Sequence, residues 1–449
     1  MLRSLPLCHL KGGFGSIFHS EALAGALPRY QNSPQRVPYG LYTELLSGSS
    51  FTVPRAKNQF SWVYRMRPSV CHHPSEWKPF TSNPLFSSEN VVDPLSPEQW
   101  RFRALPSPSI AVDFIDGLAT LATNGEGASV SGFVFSENSM RILKNCDAET
   151  LLVPQLGGLR LTTELGVLEV FPGRIALIPR GLIFRVETMT GEISRGYMLE
   201  NFGSNFQLPE LGPIGVSSGL AHPRHFEAPA ASFEEKGTYE LVVKLRGKLF
   251  SAALRYSPFD VVAWYGTLAP LRYDLRLFMP VNSVAFDHPD PSIGCVLQSP
   301  SAIPGESNLD FVIFPPRWMV AENSFRPPWF HRNVMSEFMG LLWGEYDAKK
   351  GESFQPGGSS IHNRHLPHGP DLAAVENGLE ISTSVHQRYQ NTMAFMFETN
   401  TLWIPTQFAA DSLKDKDYMK CWQGLDTRFD TNCKAEQHLP FNPEKQEIF

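Results

Sequence analysis

TLLVPQLGGLRLTTELGVLEVFPGRIALIPRGLIFRVE, residues Thr150 to Glu187, carries the clearest fold signal in this 449-residue chain. It consists of short apolar runs separated by the turn-forming strings LGG, ELG, PGR and PRG. Apolar runs of this kind between glycine- or proline-containing turns predict successive antiparallel β-strands. A steady β signal extends from about residue 110 to residue 280, so we expect a mainly β protein built as a jelly roll or β-sandwich.

The pattern is typical of a cupin-like jelly roll, and the placement of histidines divides the chain into two parts. A metal-binding cupin ordinarily carries histidines on such strands, but none occurs between Asp147 and Glu187. We therefore predict an N-terminal β domain, residues 1–280, with a metal-free, structural barrel. The turn-rich segment that begins this domain should wrap a neighbouring sheet. A C-terminal cupin-like domain, residues 281–449, should hold the metal site.

Composition narrows the class of protein. Hydrophobic residues make up 42% and charged residues 19% of a chain that is too long for one ordinary core, which favours a globular protein with two or three domains. The net charge of −6 argues against nucleic acid or an anionic membrane as the main partner. The high aromatic, glycine and proline contents suit short strands and turns better than long helices.

The cysteines and the N-terminus bear on the cellular location. Six cysteines show no CxxC pair, which favours free thiols in a reducing compartment over a zinc knuckle or a disulfide framework. No apolar run approaches the length that a membrane span requires. The opening MLRSLPLCHL is interrupted by Pro6 and is too short for a secretory signal, although a weak targeting role stays open. We expect a cytoplasmic protein.

Two stretches concentrate candidate metal ligands: FRPPWFHRNVMSEFMGLLWGEYDA, residues Phe325 to Ala348, and PGGSSIHNRHLPHGPD, residues Pro356 to Asp371. His331 and Glu337 lie six positions apart, so an extended strand would present both on one face. One histidine of the second stretch would complete a set of two imidazoles and one carboxylate. Such a set leaves metal positions open and favours iron(II) and oxygen chemistry. The spacing alone does not exclude surface or core roles for these residues.

Several strings resemble one family, the homogentisate 1,2-dioxygenases. They include the two stretches above and FVIFPPRWMVAE (Phe311 to Glu322), GGFGSIFHSEALAGALP (Gly12 to Pro28) and QNSPQRVPYGLYTELLSGSSFT (Gln31 to Thr52). The resemblance implies a ring-cleaving enzyme that uses Fe(II) to convert homogentisate and O2 to 4-maleylacetoacetate in tyrosine and phenylalanine catabolism. It also implies a homo-oligomer, a hexamer made of two stacked trimers.

The resemblance assigns roles to individual residues. His331, Glu337 and His368 match the three iron ligands, and His368 would also lie against the substrate. The family pattern also gives His288 as proton acceptor, Tyr346 as a hydrogen-bonding partner of the substrate, and His362 and Asn363 as support for the ligands or the substrate. His365 lies outside the pattern and should be exposed.

Departures from the family pattern and three alternatives remain at this stage. Tyr265 stands in VVAWYG where the family usually has a histidine, and this change touches no ligand. One alternative is another ring-cleaving dioxygenase that acts on a related hydroquinone acid such as gentisate. A second is a zinc-dependent cupin isomerase, because zinc accepts the same ligand types. The third alternative is a storage or regulatory protein with a vestigial metal.

Overall fold

The protein is described by a computed structural model over residues 10–72, 74, 76–189, 191–210, 220–280, 294–321, 324–349 and 354–432. Strands dominate this part of the chain, which confirms the predicted mainly β class. In chain order the strands are β1 (Lys11–Gly12), β2 (Phe18–Glu21), β3 (Tyr42–Ser47), β4 (Phe60–Arg65), β5 (Lys78–Pro79), β6 (Trp100–Phe102), β7 (Leu118–Thr123), β8 (Ala128–Phe135), β9 (Arg141–Asn145), β10 (Glu149–Leu156), β11 (Leu159–Thr163), β12 (Gly166–Val170), β13 (Arg174–Ile178), β14 (Ile183–Thr188), β15 (Ser194–Asn201), β16 (Phe226–Ala228), β17 (Glu240–Leu245), β18 (Lys248–Ala253), β19 (Val261–Gly266), β20 (Leu271–Asp274), β21 (Gly294–Pro300), β22 (Ser307–Phe314), β23 (Arg317–Met319), β24 (Ser336–Trp343), β25 (Ser359–His362), β26 (Gln387–Tyr389), β27 (Met393–Thr399) and β28 (Ile404–Pro405).

Helical structure is short in the described residues. The α-helix α1 spans Leu372–Glu380, and the side chain of Asp371 caps it by accepting a hydrogen bond from the backbone N–H of Ala374. No helix of the described residues is long and apolar enough to cross a membrane. Single helical turns are formed by Pro38–Gly40, Arg55–Lys57, Ser69–His72, Pro223–His225, Leu275–Leu277, Ala409–Leu413 and Tyr418–Trp422.

Two large sheets form the N-terminal part. Their strand orders are β1-β16-β20-β13-β10-β15-β8-β7-β28 and β12-β11-β14-β9-β17-β18-β5. Buried apolar residues of both sheets, such as Leu151 of β10 and Leu161 of β11, belong to one continuous core. A fully buried ion pair also joins them, because Lys244 of β17 donates to Glu200 of β15 at 2.6 and 2.8 Å. The interior between the two sheets therefore contains a buried ion pair as well as apolar side chains.

The predicted strands of residues 150–187 are confirmed. The five strands β10 to β14 cover this stretch, and their ends fall at the predicted turns. Gly157 and Gly173 lie in two of these turns with φ of 72° and 89°, a backbone conformation that glycine adopts without strain. Glycine and proline at the turns thus divide one apolar segment into separate strands.

The C-terminal sheet has the order β21-β22-β27-β24-β25-β6. Its edge strand β6 comes from the turn-rich N-terminal segment and pairs with β25 through Arg101 and Ser360. In return, β28 of the C-terminal part pairs with β7, with Ile404 opposite Thr123. The two β parts therefore exchange strands, and the proposed division at residues 280 and 281 stays a prediction.

Candidate metal centre

Glu337 is placed by the register of the C-terminal sheet. It lies near the start of β24, where His362 of β25 and Glu398 of β27 are its direct neighbours on either side. The side chain of Glu337 is buried, with 4% of the residue exposed. The sheet thus fixes one carboxylate between a histidine and a second carboxyl group.

The two histidines His331 and His368 come from loops. The backbone N–H of His331 donates to the carbonyl of His368 at 3.0 Å, and the N–H of His368 donates back at 3.1 Å. This isolated bridge brings their ring centroids to 4.2 Å. The expectation that His331 and Glu337 share one strand is wrong, because β24 begins at Ser336. A loop pairing brings His331 to the same point.

These three predicted ligands converge. The Nε2 atom of His331 lies 3.4 Å from Oε1 of Glu337, and Nε2 of His368 lies 3.0 Å from Oε2. One ligand atom from each residue can be chosen so that all lie within 4.8 Å of one another. Among the described residues this is the one group of three or more His, Cys, Asp or Glu side chains with such geometry.

Hydrogen bonds of the two Nδ1 atoms orient the rings of His331 and His368, so that the Nε2 atoms face Glu337. Nδ1 of His331 lies 2.9 Å from the carbonyl of Trp329, and Nδ1 of His368 lies 3.1 Å from that of Leu366. A carbonyl only accepts, so each Nδ1 carries a hydrogen, and each Nε2 can then offer a lone pair to a metal ion or, with a second proton on the ring, donate to Glu337. Two lone pairs and a carboxylate then point at one location. This donor set fits a divalent metal ion such as iron(II) or zinc.

The electrostatics favour a cation at this point. Burial would raise the pKa of the Glu337 carboxyl, but its hydrogen bonds with His331, His362 and His368 hold that pKa well below its ordinary value. The hydrogen bond to Glu337 also raises the pKa of His331, although burial opposes this shift. A buried, ionised carboxylate needs a positive partner, and a proton or a metal ion can supply it.

His362 contacts the Glu337 carboxylate from the neighbouring strand β25. Burial lowers the pKa of His362 to about 3, so its imidazole is neutral. Its Nδ1 lies 3.3 Å from Oε2 of Glu337, and its Nε2 lies 2.6 Å from the hydroxyl of Tyr418. A neutral ring satisfies both contacts if Nδ1–H donates to Glu337 and Tyr418 O–H donates to Nε2.

Asn363 lies elsewhere. Its side-chain N–H donates to the carbonyl of Trp403 at 3.0 Å, and its side-chain oxygen accepts from the N–H of Trp403 at 2.8 Å. Both contacts hold the chain that follows β27, and in the described part of the chain no hydrogen bond joins the Asn363 side chain to His331, Glu337 or His368. His365 is exposed, as expected, and His288 lies outside the described residues.

A cavity of about 430 Å³ opens beside the three convergent residues. Tyr346 lines it and is 6% exposed, with its ring packed edge-on against Phe314 at 5.4 Å. Arg317 also lines the cavity and forms an ion pair with Asp347. The cavity therefore combines an apolar wall with charged side chains of both signs, a composition common in small-molecule sites.

Sequence reasoning missed two polar residues of this cavity. Lys349 is buried between the rings of Tyr418 and Trp422, each 5.0 Å from its ammonium group, and burial lowers its pKa to about 8. Glu398 accepts a hydrogen bond at 2.8 Å from Asn333. Only the sheet register, which sets Glu398 opposite Glu337, would have revealed it.

Solved structures resemble the chain weakly. The bacterial pirin YhhW in complex with nickel(II) from Escherichia coli is 8% identical, with a TM-score of 0.32 and coverage of 67% of this chain and 99% of that one. The cupin 2 conserved barrel domain protein from Leptotrichia buccalis is 9% identical, with a TM-score of 0.27 and coverage of 65% and 91%.

Family models give the decisive comparison. The model described as homogentisate 1,2-dioxygenase N-terminal matches residues 9–275. The model described as homogentisate 1,2-dioxygenase C-terminal matches residues 276–429, which include all three convergent residues. Together the two models match almost the whole chain, and the chain belongs to the homogentisate 1,2-dioxygenase family.

Proposed function

We propose that the protein is an Fe(II)-dependent enzyme that opens the ring of homogentisate with O2 and releases 4-maleylacetoacetate. The observation that carries this proposal is the convergence of His331, Glu337 and His368 beside a cavity of about 430 Å³. Two imidazoles and one carboxylate are the ligand set of many non-haem iron oxygenases. The cavity is large enough for one substituted aromatic ring.

His331, Glu337 and His368 would hold the iron. Bound iron(II) would supply open coordination positions and an electron source for O2, which otherwise reacts slowly with closed-shell aromatic rings. The Nδ1 contacts of the two histidines fix the direction of their Nε2 lone pairs. His362 and Tyr418 hold Glu337 in place.

The cavity residues would bind and orient the substrate. The buried ring of Tyr346 and the neighbouring Phe314 form an apolar wall that excludes water from the aromatic ring. The Tyr346 hydroxyl would hydrogen-bond the substrate, and His368 would lie against it. The ammonium of Lys349 is a candidate partner for the negative charge of the substrate.

His288 would accept the proton of a phenolic hydroxyl. A free phenol has a pKa of about 10, whereas a histidine near 6.5 is poised at physiological pH, so a base next to the metal shares the work of deprotonation. This role follows from the family pattern around FDHPDPSI, residues Phe286 to Ile293.

Further parts of the proposal concern the cellular setting. The reaction would belong to tyrosine and phenylalanine catabolism in the cytoplasm. The chain would assemble as a hexamer of two trimers, with an N-terminal domain of residues 1–280 and a C-terminal catalytic domain of residues 281–449. Sedimentation analysis of the purified protein tests the hexamer.

Oxygen consumption tests the enzymatic proposal. Protein loaded with ferrous iron under ascorbate should consume one O2 per homogentisate and form 4-maleylacetoacetate. Faster uptake with gentisate would favour the related dioxygenase, and activity restored by zinc without O2 uptake would favour an isomerase. No uptake with either acid by fully iron-loaded protein would contradict the proposed reaction and favour an inert β-barrel protein.

A further inference from the structure

A second surface cavity, of about 480 Å³, has a strongly basic lining. Four cationic side chains and one carboxylate, that of Asp415, line it, which leaves a net charge of +3 in a chain whose total is −6. It shares no lining residue with the cavity beside the candidate metal centre. The four cations are Arg101, Arg103, Lys414 and Lys416.

Backbone pairing between two distant segments creates this cluster. The N–H of Arg103 donates to the carbonyl of Leu413 at 2.9 Å, and the N–H of Asp415 donates to the carbonyl of Arg101 at 2.8 Å. Arg101 and Arg103 are two positions apart around the edge strand β6 and both line the cavity. The positive charges therefore sit on a fixed framework.

Arg101 is the buried member of this cluster, and one of its N–H groups has no acceptor among the described residues. It is 5% exposed, its Nε donates to Asp415 at 2.8 Å, and its guanidinium lies 4.6 Å from the centre of the Tyr418 ring. Its Nη1 is buried and has no hydrogen-bond partner among the residues described. Buried guanidinium N–H groups are normally satisfied, so Arg101, which lines the cavity, is the buried cation of the cluster with hydrogen-bonding capacity left over.

The remaining cations differ in their availability. Lys414 is engaged, because its ammonium lies 2.9 Å from Glu98 and 3.9 Å from the centre of the Trp100 ring. Arg103 and Lys416 are exposed at the cavity. One buried guanidinium and two exposed cations can thus surround a single negative group.

We propose that this cavity is a binding site for a small multivalent oxyanion. The planar guanidinium of Arg101 matches the oxygens of a phosphate or a carboxylate, and Arg103 and Lys416 supply the additional charge. Phe102, Ala104 and Phe354 line the rest of the cavity, which leaves space for a short carbon chain. The ligand is therefore inorganic phosphate or a small organic dicarboxylate, and both present the same oxygen chemistry.

Isothermal titration calorimetry of the iron-loaded protein tests the site, under anaerobic conditions, in phosphate-free buffer of constant ionic strength. Inorganic phosphate and succinate serve as separate probes. We expect saturable binding of at least one probe with one site per chain, and the tighter probe identifies the ligand class. No binding of either probe at about 10 mM would overturn the proposal, because that limit corresponds to negligible affinity.

Variants locate the binding. Arg103→Gln combined with Lys416→Gln changes two exposed residues and should weaken binding about tenfold or more, because charge-assisted hydrogen bonds are lost. The matched control Arg55→Gln changes an exposed arginine outside the cavity and should leave the affinity unchanged. His331→Ala should retain the anion affinity, whereas its loss would place the anion at the metal. Unchanged affinity in the double variant would also overturn the proposal.

Discussion

Glu337 and Glu398 occupy directly opposite positions on the neighbouring strands β24 and β27, yet the pKa values of their carboxyl groups are shifted in opposite directions. Hydrogen bonds with three histidines overcome the effect of burial and hold the pKa of Glu337 well below its ordinary value. Burial, together with the charges of Glu337 and Asp310, raises the pKa of Glu398 to about 8. Environments that separate two carboxyl pKa values assign them different roles. We therefore expect Glu337 to be the metal ligand and Glu398 to be a protonated, hydrogen-bonding neighbour.

A matched pair of amide substitutions tests this division. Glu337→Gln should abolish iron retention, because the amide removes the negative charge of the carboxylate whose two oxygens face the Nε2 atoms of His331 and His368. Glu398→Gln should retain iron, since an amide oxygen can still accept the hydrogen bond from Asn333. Iron per chain after desalting provides the measurement. Equal loss of iron in both variants would show that Glu398 also binds the metal.

The raised pKa of Glu398 predicts how the stability of the iron-free protein depends on pH. The folded state keeps this proton up to a pH of about 8, whereas the unfolded state releases it near the ordinary carboxyl value. The contribution of Glu398 to the free energy of unfolding is therefore full at low pH and declines as pH rises towards 8. Glu398→Gln lacks this decline, so its stability relative to the native protein should increase by about 1 kcal/mol or more between about pH 5 and 8. Urea unfolding at several pH values measures the difference, and parallel curves for the two proteins would contradict the assignment.

His331→Ala tests the ligand that comes from a loop. Its loss removes one of two imidazoles, and the remaining pair should not retain iron through desalting, so iron content and turnover should disappear together. His365→Ala is the matched control, because this exposed histidine lies close to His368 in the chain. A His331→Ala protein that kept both iron and activity would show that the ligand choice is wrong.

Local patterns in the sequence predicted the strands and the types of ligand. The turns at Gly157 and Gly173 could be read directly, because a turn depends on a few adjacent residues. His331 and Glu337 were paired for the wrong reason, since the geometry of one strand was assumed where a loop bridge to His368 acts. Spacing rules cannot reveal such a bridge.

Sequence patterns could not predict contacts between distant segments for the same reason. Tyr418 lies outside both stretches that concentrate the candidate ligands, yet its hydroxyl contacts His362, 56 positions earlier in the chain. Lys349 is buried in the fold, with its ammonium group 5.0 Å from the rings of Tyr418 and Trp422, which follow about 70 positions later in the chain. The strand exchange through β6 and β28 likewise depends on pairing between opposite ends of the chain.

His288→Gln separates proton transfer from metal binding. Glutamine is close in size but cannot accept a proton at neutral pH, so turnover should fall by a factor of about 100 or more. Iron content should stay at the native level, because the three convergent residues are unchanged. Stopped-flow measurement of product formation with parallel iron analysis provides the test. Loss of iron in proportion to activity would identify His288 as a ligand instead.

Tyr418→Phe tests the support behind the metal centre. The change removes the hydroxyl 2.6 Å from Nε2 of His362 but keeps the ring that contacts Arg101 and Lys349. His362 is then left with a buried, unsatisfied nitrogen, which should lower the free energy of unfolding by about 1–3 kcal/mol. Iron should be retained but bound less tightly, because Glu337 loses its fixed neighbour. Urea unfolding and competition with a chelator measure the two effects.

Tyr30→Phe, at a residue that is 95% exposed, is the control for Tyr418→Phe and should change neither quantity. Stability and iron affinity equal to those of the native protein would show that the hydroxyl does not position His362.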